Sequence, residues 1–364
     1  MAMMTALGLM SGTSMDGVDA AVLETDGEAI AAFGPTYFRA YSEDERSLLR
    51  RALEDSRGLE DRAVRPGALA AAERMITDAH AEAVAALLAA HPQVRIDIVG
   101  FHGQTVLHAP RRRLTVQIGD GAALARRLAL PVAYDFRAAD VAAGGEGAPL
   151  VPVYHQALVR RAGLGGFVAL VNIGGVANIT RVGADGSLSA GDTGPGNALI
   201  DDFVRGRTGQ PMDRDGALAR AGRVNEAALA ALLADPWFDR PLPKSLDRNA
   251  FSPAPVMGLS TEDGAATLAA FTSRTIAKGI VMAGGADRVV VSGGGASNPA
   301  LMAALAGDLG VSVNSAASLG WPPDFVEAEA FACLAVRTRR GLPLTFPGTT
   351  GVRQPLTGGV IARP

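Results

Sequence analysis

Cysteine is almost absent from this sequence, in which Cys333 is the single one among 364 residues. One cysteine excludes an intramolecular disulfide and a cysteine-based zinc cluster, and it fits a reducing compartment. The chain also lacks an uninterrupted apolar run of the ~18 residues needed to span a bilayer. The first residues have no basic region of the kind found in signal peptides, and polar residues interrupt the apolar run from Ser11 onwards. We therefore expect a soluble, cytoplasmic protein.

Neither sign of charge is in large excess. The sequence has 34 basic residues (Lys and Arg) and 37 acidic ones, which gives a net charge of −3 and argues against a nucleic-acid-binding scaffold. Lysine is scarce, because only Lys244 and Lys278 occur. There is no G-x-x-x-x-G-K-[ST] phosphate loop and no H-E-x-x-H zinc motif. A phosphate site in this chain would have to use backbone N–H groups, hydroxyls and a metal ion.

Glycine is the abundant residue, with 44 copies, or about 12% against a usual value of about 7%. The composition is 48% hydrophobic and 20% charged, which is typical of a globular protein. At ~100–200 residues per domain, the length predicts two domains. The glycines follow no fixed period, which excludes collagen-like and solenoid folds. They cluster at the ends of short β-like runs, where a backbone turns tightly or approaches a ligand.

The order of elements repeats about half a chain apart. Each half begins with a strand, a glycine turn and a strand, and continues with a long helix, a buried strand and a polar glycine turn. These segments are 6–10, 18–23, 66–91, 96–101 and 102–105 in the first half and 167–173, 176–180, 261–283, 288–291 and 292–295 in the second. The sequence therefore predicts a duplicated α/β protein with domains 1–165 and 166–364 and a ligand-binding cleft between two similar lobes.

The remaining segments have weaker patterns. We expect a loop over residues 138–152, because it is rich in glycine and proline, followed by a helix over 154–161. Helices are also predicted over 198–207 and 324–339. The tail after Gly341 predicts irregular structure or a short strand.

The turn after the first strand is suited to an anion. Gly12 lets the backbone approach a phosphate, and Thr13 and Ser14 add hydroxyl donors. Asp16 and Asp19 could hold a metal ion or close the turn. An ordinary hairpin turn with an aspartate cap explains the same residues equally well.

Asp192 begins the sharpest acidic motif, Asp-Thr-Gly-Pro-Gly-Asn over residues 192–197, just before a predicted helix. An aspartate there could accept a proton from a nucleophile or act through a metal, since a helix N-terminus favours anionic ligands. The alternative is that Asp192 only caps the helix.

Three consecutive glycines, Gly293 to Gly295, follow a buried strand. They would permit a nucleobase or a ribose to lie flat against the backbone. The spacing is not G-x-G-x-x-G, so the dinucleotide fingerprint is not supported. A purely structural tight turn is the alternative.

Several polar residues follow predicted strands or lie on the last predicted helix. His102 and Gln104 end a strand at the expected cleft, where a histidine can bind substrate or transfer a proton, although a buried histidine satisfied by the core is the commoner case. Arg137 could bind an anionic group through its guanidinium, or form a salt bridge with Asp135 or Asp140. Glu327 and Glu329 are two residues apart on one helix, so they point to different sides, and we expect one of them to face the cleft and the other to be solvated.

With these residues identified, the chain resembles the anhydro-N-acetylmuramic acid kinases over nearly its whole length. The motifs that carry the resemblance are residues 10–19 (MSGTSMDGVD), 101–105 (FHGQT), 117–121 (QIGDG), 135–152 (DFRAADVAAGGEGAPLVP), 172–180 (NIGGVANIT), 192–197 (DTGPGN), Lys244, Ser245 and Arg248, 293–298 (GGGASN) and 327–335 (EAEAFACLA). Each is weak alone, whereas together and in this order they are highly specific. Two departures are Glu146, where a glutamine is expected, and Cys333, where a tryptophan is expected in a helix that packs inside.

The resemblance implies the duplicated actin-like ATPase fold, of the ribonuclease H-like type, with ATP and Mg²⁺ in the cleft between the lobes. It implies 1,6-anhydro-N-acetylmuramic acid, from peptidoglycan recycling, as the substrate and N-acetylmuramic acid 6-phosphate as the product. A homodimer is also expected from the resemblance, whereas nucleic-acid and membrane partners are not. The residues implied to bind the nucleotide are Gly12, Thr13, Ser14, Asp16, Gly17, Asp19, Gly174, Gly175, Gly293, Gly294 and Gly295.

The chemistry implied by the resemblance explains the acidic motif. The 1,6-anhydro bridge leaves no free 6-hydroxyl, so water must attack C1 while O6 departs and takes the γ-phosphoryl group. One carboxylate must activate that water, as in an inverting glycosidase, and the matching motif assigns this role to Asp192. His102, Gln104, Arg137 and Glu327 would hold the sugar, with Arg137 facing its lactyl carboxylate.

Two rival hypotheses share the fold. An ordinary sugar kinase would use Asp192 to deprotonate a substrate hydroxyl, and labelled water oxygen would then not enter C1. A nucleotide-switched binding module of the actin-like type would consume ATP without stimulation by any small sugar. We favour the anhydro-sugar kinase over both.

Overall fold

A computed structural model describes residues 1–12, 14–246, 250–321 and 325–364. Strands and helices are interspersed along the described chain. The strands are β1 (Met4–Ser11), β2 (Gly17–Thr25), β3 (Ile30–Ala40), β4 (Ile98–Ala109), β5 (Leu114–Ile118), β6 (Val132–Tyr134), β7 (Val168–Ile173), β8 (Val176–Val182), β9 (Leu188–Pro195), β10 (Arg288–Ser292), β11 (Ser312–Ser315) and β12 (Val360–Ala362).

The helices match the alanine-rich and amphipathic stretches of the sequence. They are α1 (Glu43–Ser56), α2 (Leu69–Ala90), α3 (Gly121–Leu128), α4 (Ala138–Ala142), α5 (Pro152–Arg161), α6 (Ala198–Thr208), α7 (Ala217–Ala221), α8 (Glu226–Leu233), α9 (Thr261–Met282), α10 (Pro299–Leu309), α11 (Val326–Arg340) and α12 (Pro347–Thr350). No helix in these described ranges combines the length and the apolar character needed to cross a membrane.

The chain divides into two compact units. Unit 1 comprises residues 1–161 and 325–364 and contains a mixed sheet of strand order β12-β6-β4-β1-β2-β3, with β5 paired to β4. Within it, β1 runs antiparallel to β2 and parallel to β4, and β4 runs parallel to β6. A parallel pair requires a crossover, and α1 and α2 supply the one between the β1–β3 meander and β4.

Unit 2 comprises residues 162–321 and contains a sheet of order β11-β10-β7-β8-β9. Here β7 runs antiparallel to β8 and parallel to β10, and β10 runs parallel to β11. The path β9-β8-β7-β10-β11 therefore repeats the path β3-β2-β1-β4-β6 of unit 1. The duplicated α/β architecture of the ribonuclease H-like, actin-like type is confirmed.

The two units differ from the predicted domains in one respect. The division after residue 161 lies close to the predicted boundary at 165, but residues 325–364 belong to unit 1 rather than to the second half. The physical reason is α11, which packs on β1, β2 and β4. A Cβ on Gly8 would lie 1.8 Å from the carbonyl oxygen of Ala328, and one on Gly100 would lie 2.1 Å from that of Phe331. The helix backbone thus lies directly on the sheet.

Each sheet buries alternate side chains against its helices. In unit 1, Leu7 and Leu9 of β1 pack in one apolar cluster with Ile76 of α2, opposite to the face that α11 covers. In unit 2, Val171 of β7 packs in a cluster with Phe271 of α9. The interiors of the units are therefore two separate cores, as the chain length predicts.

Two local predictions were wrong. Residues 102–105 do not form a turn, because β4 continues through them and pairs with β5. Gly103, with a φ of +69°, makes an irregularity within the strand instead of ending it. The predicted loop over 138–152 contains the short helix α4, and the tail contains α12 besides the expected short strand β12. The hairpins β1–β2 and β7–β8 and the helices α2, α6 and α9 are confirmed.

Candidate functional site

The β1–β2 connection of unit 1 is a tight turn with exposed polar side chains. The N–H of Met15 donates to the carbonyl oxygen of Gly12 over 3.2 Å, and Met15 has a φ of +53°. The Ser14 hydroxyl donates to Oδ1 of Asp16 over 2.7 Å. Thr13 lies outside the described residues. Asp19 is in β2, opposite Met10 of β1.

Gly12 and Gly17 in this turn lack side chains for different reasons. A Cβ on Gly17 would lie 2.3 Å from the carbonyl oxygen of Arg39, so packing against β3 requires glycine there. A Cβ on Gly12 would have Ser14 Oγ, at 3.6 Å, as its nearest neighbour. Neither crowding nor a positive φ therefore explains Gly12, and the space beside its backbone is open to a ligand.

Gln104 stabilises this turn through two hydrogen bonds of its side chain. Its Oε1 accepts from the Ser11 hydroxyl over 2.6 Å, and its Nε2 donates to the carbonyl oxygen of Gly12 over 3.1 Å. Ser11 also shares a hydrogen bond of 2.9 Å with the Tyr41 hydroxyl, whose pKa is raised by burial. Gln104 is only 1% exposed. The structure thus couples this predicted sugar ligand to the predicted phosphate turn, and it adds Ser11 and Tyr41, which sequence analysis missed.

His102 and Arg137 form a second polar group in unit 1. Nδ1 of His102 lies 2.8 Å from the carbonyl oxygen of Gly103, and its Nε2 lies 3.3 and 3.1 Å from Nε and Nη2 of Arg137. A carbonyl can only accept and a guanidinium can only donate, so the ring carries its proton on Nδ1. Burial and the positive charge of Arg137 hold the pKa of His102 well below its usual value. His102 is therefore neutral and orients Arg137.

The guanidinium of Arg137 has no carboxylate partner at ion-pair distance within the described part of the chain. The two aspartates proposed as alternatives are engaged elsewhere. Asp135 pairs with Arg62 at 2.5 Å, and Asp140 accepts from the backbone N–H of Gly147 over 2.6 Å. Nη1 of Arg137 donates to the carbonyl oxygen of Gly147 over 2.8 Å. The salt-bridge alternative is thereby excluded, and a half-buried cation remains for an anionic ligand.

Glu327 and Glu329 occupy different sides of α11, as predicted. Glu327 is exposed. Burial lowers the pKa of the Arg137 guanidinium, and the negative charge of Glu327 partly opposes this shift. Glu329 is 2% exposed, so the expectation that it is solvated was wrong; it accepts a hydrogen bond of 2.5 Å from the Tyr154 hydroxyl. Burial raises the pKa of Glu329 to about 7. Of the two, Glu327 is the carboxylate that a ligand near Arg137 could reach. Cys333, on the same helix, is fully buried, as expected.

Asp192 of unit 2 lies within β9 and not at a helix N-terminus. Its backbone N–H donates to the carbonyl oxygen of Lys244 over 2.8 Å, and its Oδ2 accepts from the N–H of Leu246 over 2.7 Å. Helix α6 begins at Ala198, six residues later, with Asn197 at its N-cap position. The helix-capping alternative is therefore excluded. Arg248, from the same stretch of the resemblance, lies outside the described residues.

The electrostatic setting of Asp192 suits a proton acceptor. Burial raises the pKa of its carboxyl group to about 6, and the hydrogen bond from Leu246 opposes this shift. A group with such a pKa is mostly ionised at pH 7 and still has appreciable affinity for a proton. An exposed aspartate, with a pKa of about 3.9, would be a weaker base.

The glycine turns of unit 2 lie against one another. The N–H of Gly196 donates to the carbonyl oxygen of Gly175 over 3.0 Å, and that of Asn197 donates to Gly174 over 2.7 Å. Asn197 Nδ2 lies 3.3 Å from the position of a Cβ on Gly294. The β7–β8 turn, the start of α6 and the turn after β10 are thus assembled at one end of the sheet.

Glycine at two of the three positions after β10 is required by packing. Gly293 has a φ of +75°, and a Cβ there would lie 2.5 Å from Oδ1 of Asn172. A Cβ on Gly295 would lie 2.4 Å from the Ile173 side chain. Gly294 is exposed. The structural explanation therefore holds for Gly293 and Gly295, while Gly294 leaves backbone accessible.

A magnesium ion that is shared with nucleotide phosphates needs few protein ligands. The described residues contain no group of three or more histidine, cysteine, aspartate or glutamate side chains able to hold a metal ion. Mg²⁺ in phosphoryl-transfer sites keeps several waters and is held by one or two carboxylates together with the phosphates. The exposed carboxylate of Asp16 fits this mode of binding.

Sequence analysis assigned no role in the site to two residues that hold it in place. Asp140 accepts from Thr350 Oγ1 over 2.6 Å as well as from the loop that carries Gly147. Lys244 is buried, and its carbonyl oxygen accepts from the N–H of Asp192. The scarcity of lysine in the sequence was a signal for Lys244, whereas nothing local to Asp140 marks it.

Comparison with known proteins gives one family. The model of the anhydro-N-acetylmuramic acid kinase family matches residues 4–364. Proteins of that name from Rhodopseudomonas palustris (strain BisB18) and Methylobacterium nodulans are 56% and 54% identical over 366 and 374 residues, each covering 99% of this chain and 100% of the relative. That from Nitrobacter winogradskyi is 53% identical over the full length of both.

Solved structures match this chain at a lower level. Component A of the (R)-2-hydroxyglutaryl-CoA dehydratase from Acidaminococcus fermentans aligns with 93% of this chain and 99% of its own, at 12% identity and a TM-score of 0.46. At this level of similarity, the fold of this chain is assigned from the strand order of its own two sheets.

Proposed function

The chain belongs to the anhydro-N-acetylmuramic acid kinase family, and from that membership we propose how its residues carry out the family reaction. The enzyme is a phosphotransferase that acts on a sugar oxygen. In the proposed reaction, 1,6-anhydro-N-acetylmuramic acid, water and ATP give N-acetylmuramic acid 6-phosphate and ADP. The reaction belongs to peptidoglycan recycling, and its use of ATP leads us to assign it to the cytoplasm.

Asp192 is the proposed general base. A water oxygen bonds to C1 as the C1–O6 bond breaks, O6 takes the γ-phosphoryl group, and the water gives a proton to Asp192. The observation that carries this assignment is the environment of Asp192, where burial raises the carboxyl pKa to about 6 and Leu246 holds Oδ2. The other oxygen, Oδ1, is then the proton acceptor.

Residues of unit 1 are proposed to bind the sugar. Arg137 carries a charge without a carboxylate partner among the described residues, and His102 fixes its orientation, so it is suited to the lactyl carboxylate of the substrate. Glu327, exposed and close enough to act on the charge of Arg137, would accept from sugar hydroxyls. Gln104 would act mainly by holding the neighbouring turn.

The turn after β1 is proposed to bind the phosphates of ATP. The backbone of Gly12 is open to a ligand, and the hydroxyl of Ser14 is exposed. We include Thr13, Gly17 and Asp19 as members of the same turn. Asp16 would hold Mg²⁺, which, when bound, neutralises phosphate charge during phosphoryl transfer. The protein residues then supply alignment and exclude competing water.

The glycine turns of unit 2 are proposed to bind the rest of the nucleotide. Ligands of open α/β sheets bind outside the carboxyl ends of the strands, and β7 and β10 are parallel neighbours that end at Ile173 and Ser292. Gly174 and Gly175 would approach the phosphates. The accessible backbone of Gly294, between Gly293 and Gly295, would lie against the adenosine.

The test is ADP release with Mg·ATP and 1,6-anhydro-N-acetylmuramic acid in ¹⁸O-labelled water, run beside N-acetylmuramic acid and N-acetylglucosamine. We expect turnover with the anhydro sugar alone and one labelled oxygen at C1 of the product. Turnover only with sugars that have a free 6-hydroxyl, without label at C1, would instead identify an ordinary sugar kinase. ATP consumption that no sugar stimulates would contradict both.

A further inference from the structure

Lys244 is a buried cation without a carboxylate partner. Its side chain is 4% exposed, and Nζ donates to the carbonyl oxygens of Trp237 and Phe238 at 3.1 Å each. Nζ also lies 4.2 Å from the centroid of the Trp237 ring. It makes no ion pair with any residue that the structure describes.

Such an arrangement is costly when its only role is packing. Burying an ammonium group is unfavourable unless the surroundings replace its hydration, and an apolar side chain of similar length would fill the same space. Here two carbonyls at the end of the short 3₁₀ helix Pro236–Asp239 and the face of Trp237 replace the water. These contacts fix Lys244 to that helix.

The main chain of the same residue fixes Asp192. The carbonyl oxygen of Lys244 accepts from the N–H of Asp192 over 2.8 Å, and two residues on, Leu246 donates to Oδ2 of Asp192 over 2.7 Å. The segment approaches β9 closely, since a Cβ on Gly191 would lie 3.0 Å from both N and O of Lys244. One residue therefore anchors its side chain to one element and its backbone to the proposed base.

We propose that Lys244 is a positioning residue for Asp192: its ammonium group clamps residues 244–246 to the helix Pro236–Asp239, and this clamp holds the Leu246 N–H against Oδ2. The inference rests on the proposed role of Asp192 as the base. Without the clamp the segment would relax, and the hydrogen bond to Oδ2 would weaken. That bond stabilises the ionised carboxylate, so its loss raises the pKa of Asp192.

The charged groups near Lys244 indicate which variant can serve as a control. Burial is the largest of the effects that together lower the pKa of Lys244 to about 8; Lys278 and Arg240 contribute to the lowering, and Asp239 opposes it. Lys278 is the second of the two lysines and pairs with Asp239 at 2.6 Å, in contact with the same helix. A Lys278→Met variant removes a positive charge from this neighbourhood without touching the segment that holds Asp192.

The experiment is a carboxyl ¹³C titration of Asp192 in the full chain, assigned by loss of the signal in Asp192→Asn. We expect Lys244→Met to raise the Asp192 pKa by about 0.5–1 unit and to move the acidic limb of the turnover–pH profile upward by the same amount. kcat at pH 7 should fall more than KM rises. Lys278→Met should leave the titration and the profile unchanged, and Lys244→Arg should return the pKa towards wild type.

A folded Lys244→Met with an unchanged Asp192 titration would overturn the proposal. If that variant does not fold, Trp237→Leu provides the test, since it removes the ring below Nζ and leaves both carbonyls; a smaller upward shift supports the clamp and none contradicts it. Because the titration needs no substrate, it remains decisive even if the anhydro sugar is not turned over, which would refute only the proposed function.

Discussion

The N–H of Leu246, two residues after Lys244, donates to Oδ2 of Asp192, the proposed base, over 2.7 Å. This bond stabilises the ionised carboxylate, whereas burial destabilises it, and burial prevails, so that the pKa is raised to about 6. A carboxylate held on one oxygen retains the other for proton transfer. The balance between these two effects sets the pH behaviour of the enzyme.

Replacing Asp192 by asparagine should abolish turnover while preserving binding. The amide oxygen can still accept from Leu246, but it takes no proton from water, so we expect kcat to fall by roughly 10²–10⁴-fold. Coupled ADP release measures the loss, and calorimetry measures binding of the sugar and of ATP. Asp185→Asn, at an exposed turn of the same unit, is the matched control and should be fully active. Near-normal turnover of Asp192→Asn would refute the base assignment.

The acidic limb of the wild-type profile should follow the ionisation of Asp192. Only the ionised form accepts a proton, so kcat/KM should fall tenfold per pH unit below about 6 and be level above it. His102 should add no step in this range, because burial and Arg137 keep it neutral. Steady-state kinetics between pH 5 and 8 tests this expectation. A limb that is steeper than one proton would mean that a second group titrates.

Asp192 should also destabilise the fold at neutral pH. Its folded-state pKa, about 6, exceeds the ordinary value of 3.8, so the folded protein binds this proton more tightly than the unfolded chain does. The resulting stabilisation is complete below the ordinary pKa and is lost as the pH rises through about 6. Asp192→Asn should therefore gain on the order of 1–3 kcal/mol at pH 7 and raise Tm by about 2–6 °C. Thermal melts at pH 5 and 7 measure this, and an unchanged or lower Tm at pH 7 would contradict it.

Arg137 should recognise the lactyl carboxylate specifically. Arg137→Met removes the guanidinium fork, and we expect KM for the anhydro-muramic substrate to rise by roughly 30–200-fold, since charge-assisted pairs contribute about 2–3 kcal/mol. The matched control is the analogue that lacks the lactyl group, for which the variant and the wild type should differ little. KM for ATP should stay within about twofold of the wild-type value. An equal loss for both sugars would show that Arg137 acts on structure instead.

Gly12 and Gly17 provide a matched pair within one turn. Gly12→Ala has room for its methyl group, so stability should change by less than about 0.5 kcal/mol while KM for ATP rises at least tenfold. Gly17→Ala places a methyl group 2.3 Å from a carbonyl oxygen of β3 and should destabilise unit 1 by about 1–3 kcal/mol or more. Thermal melts and ATP kinetics separate the two effects. Normal ATP kinetics in Gly12→Ala would remove this turn from the nucleotide site.

The sequence predicted which strands and helices occur better than it predicted where each of them ends. The β1–β2 and β7–β8 hairpins were predicted from glycine turns between apolar runs, because the strands of a hairpin are neighbours in the sequence. The extension of β4 beyond residue 101 was not predicted, since His102 and Gln104 are polar and Gly103 has a positive φ. Pairing with β5, a contact between distant residues, keeps that segment in the sheet.

For the candidate site, sequence motifs identified residues but not their partners. The motif around Asp192 marked it as an acid or base, yet the Leu246 N–H that holds it comes from 54 residues away. The role of His102 likewise depends on Arg137, 35 residues further along the chain, which fixes its tautomer. Spacing along a sequence carries no information about such contacts, because the tertiary fold creates them.

The direct contact of α11 with the sheet of unit 1 has a consequence for synthesis of the chain. Gly8 and Gly100 leave the ribosome before the helix that covers them, which ends at Arg340. One face of that sheet thus stays uncovered until α11 has been synthesised. Unit 2, formed by contiguous residues, can complete its core earlier. Unit 1, whose first strands are translated before unit 2, therefore finishes folding after unit 2.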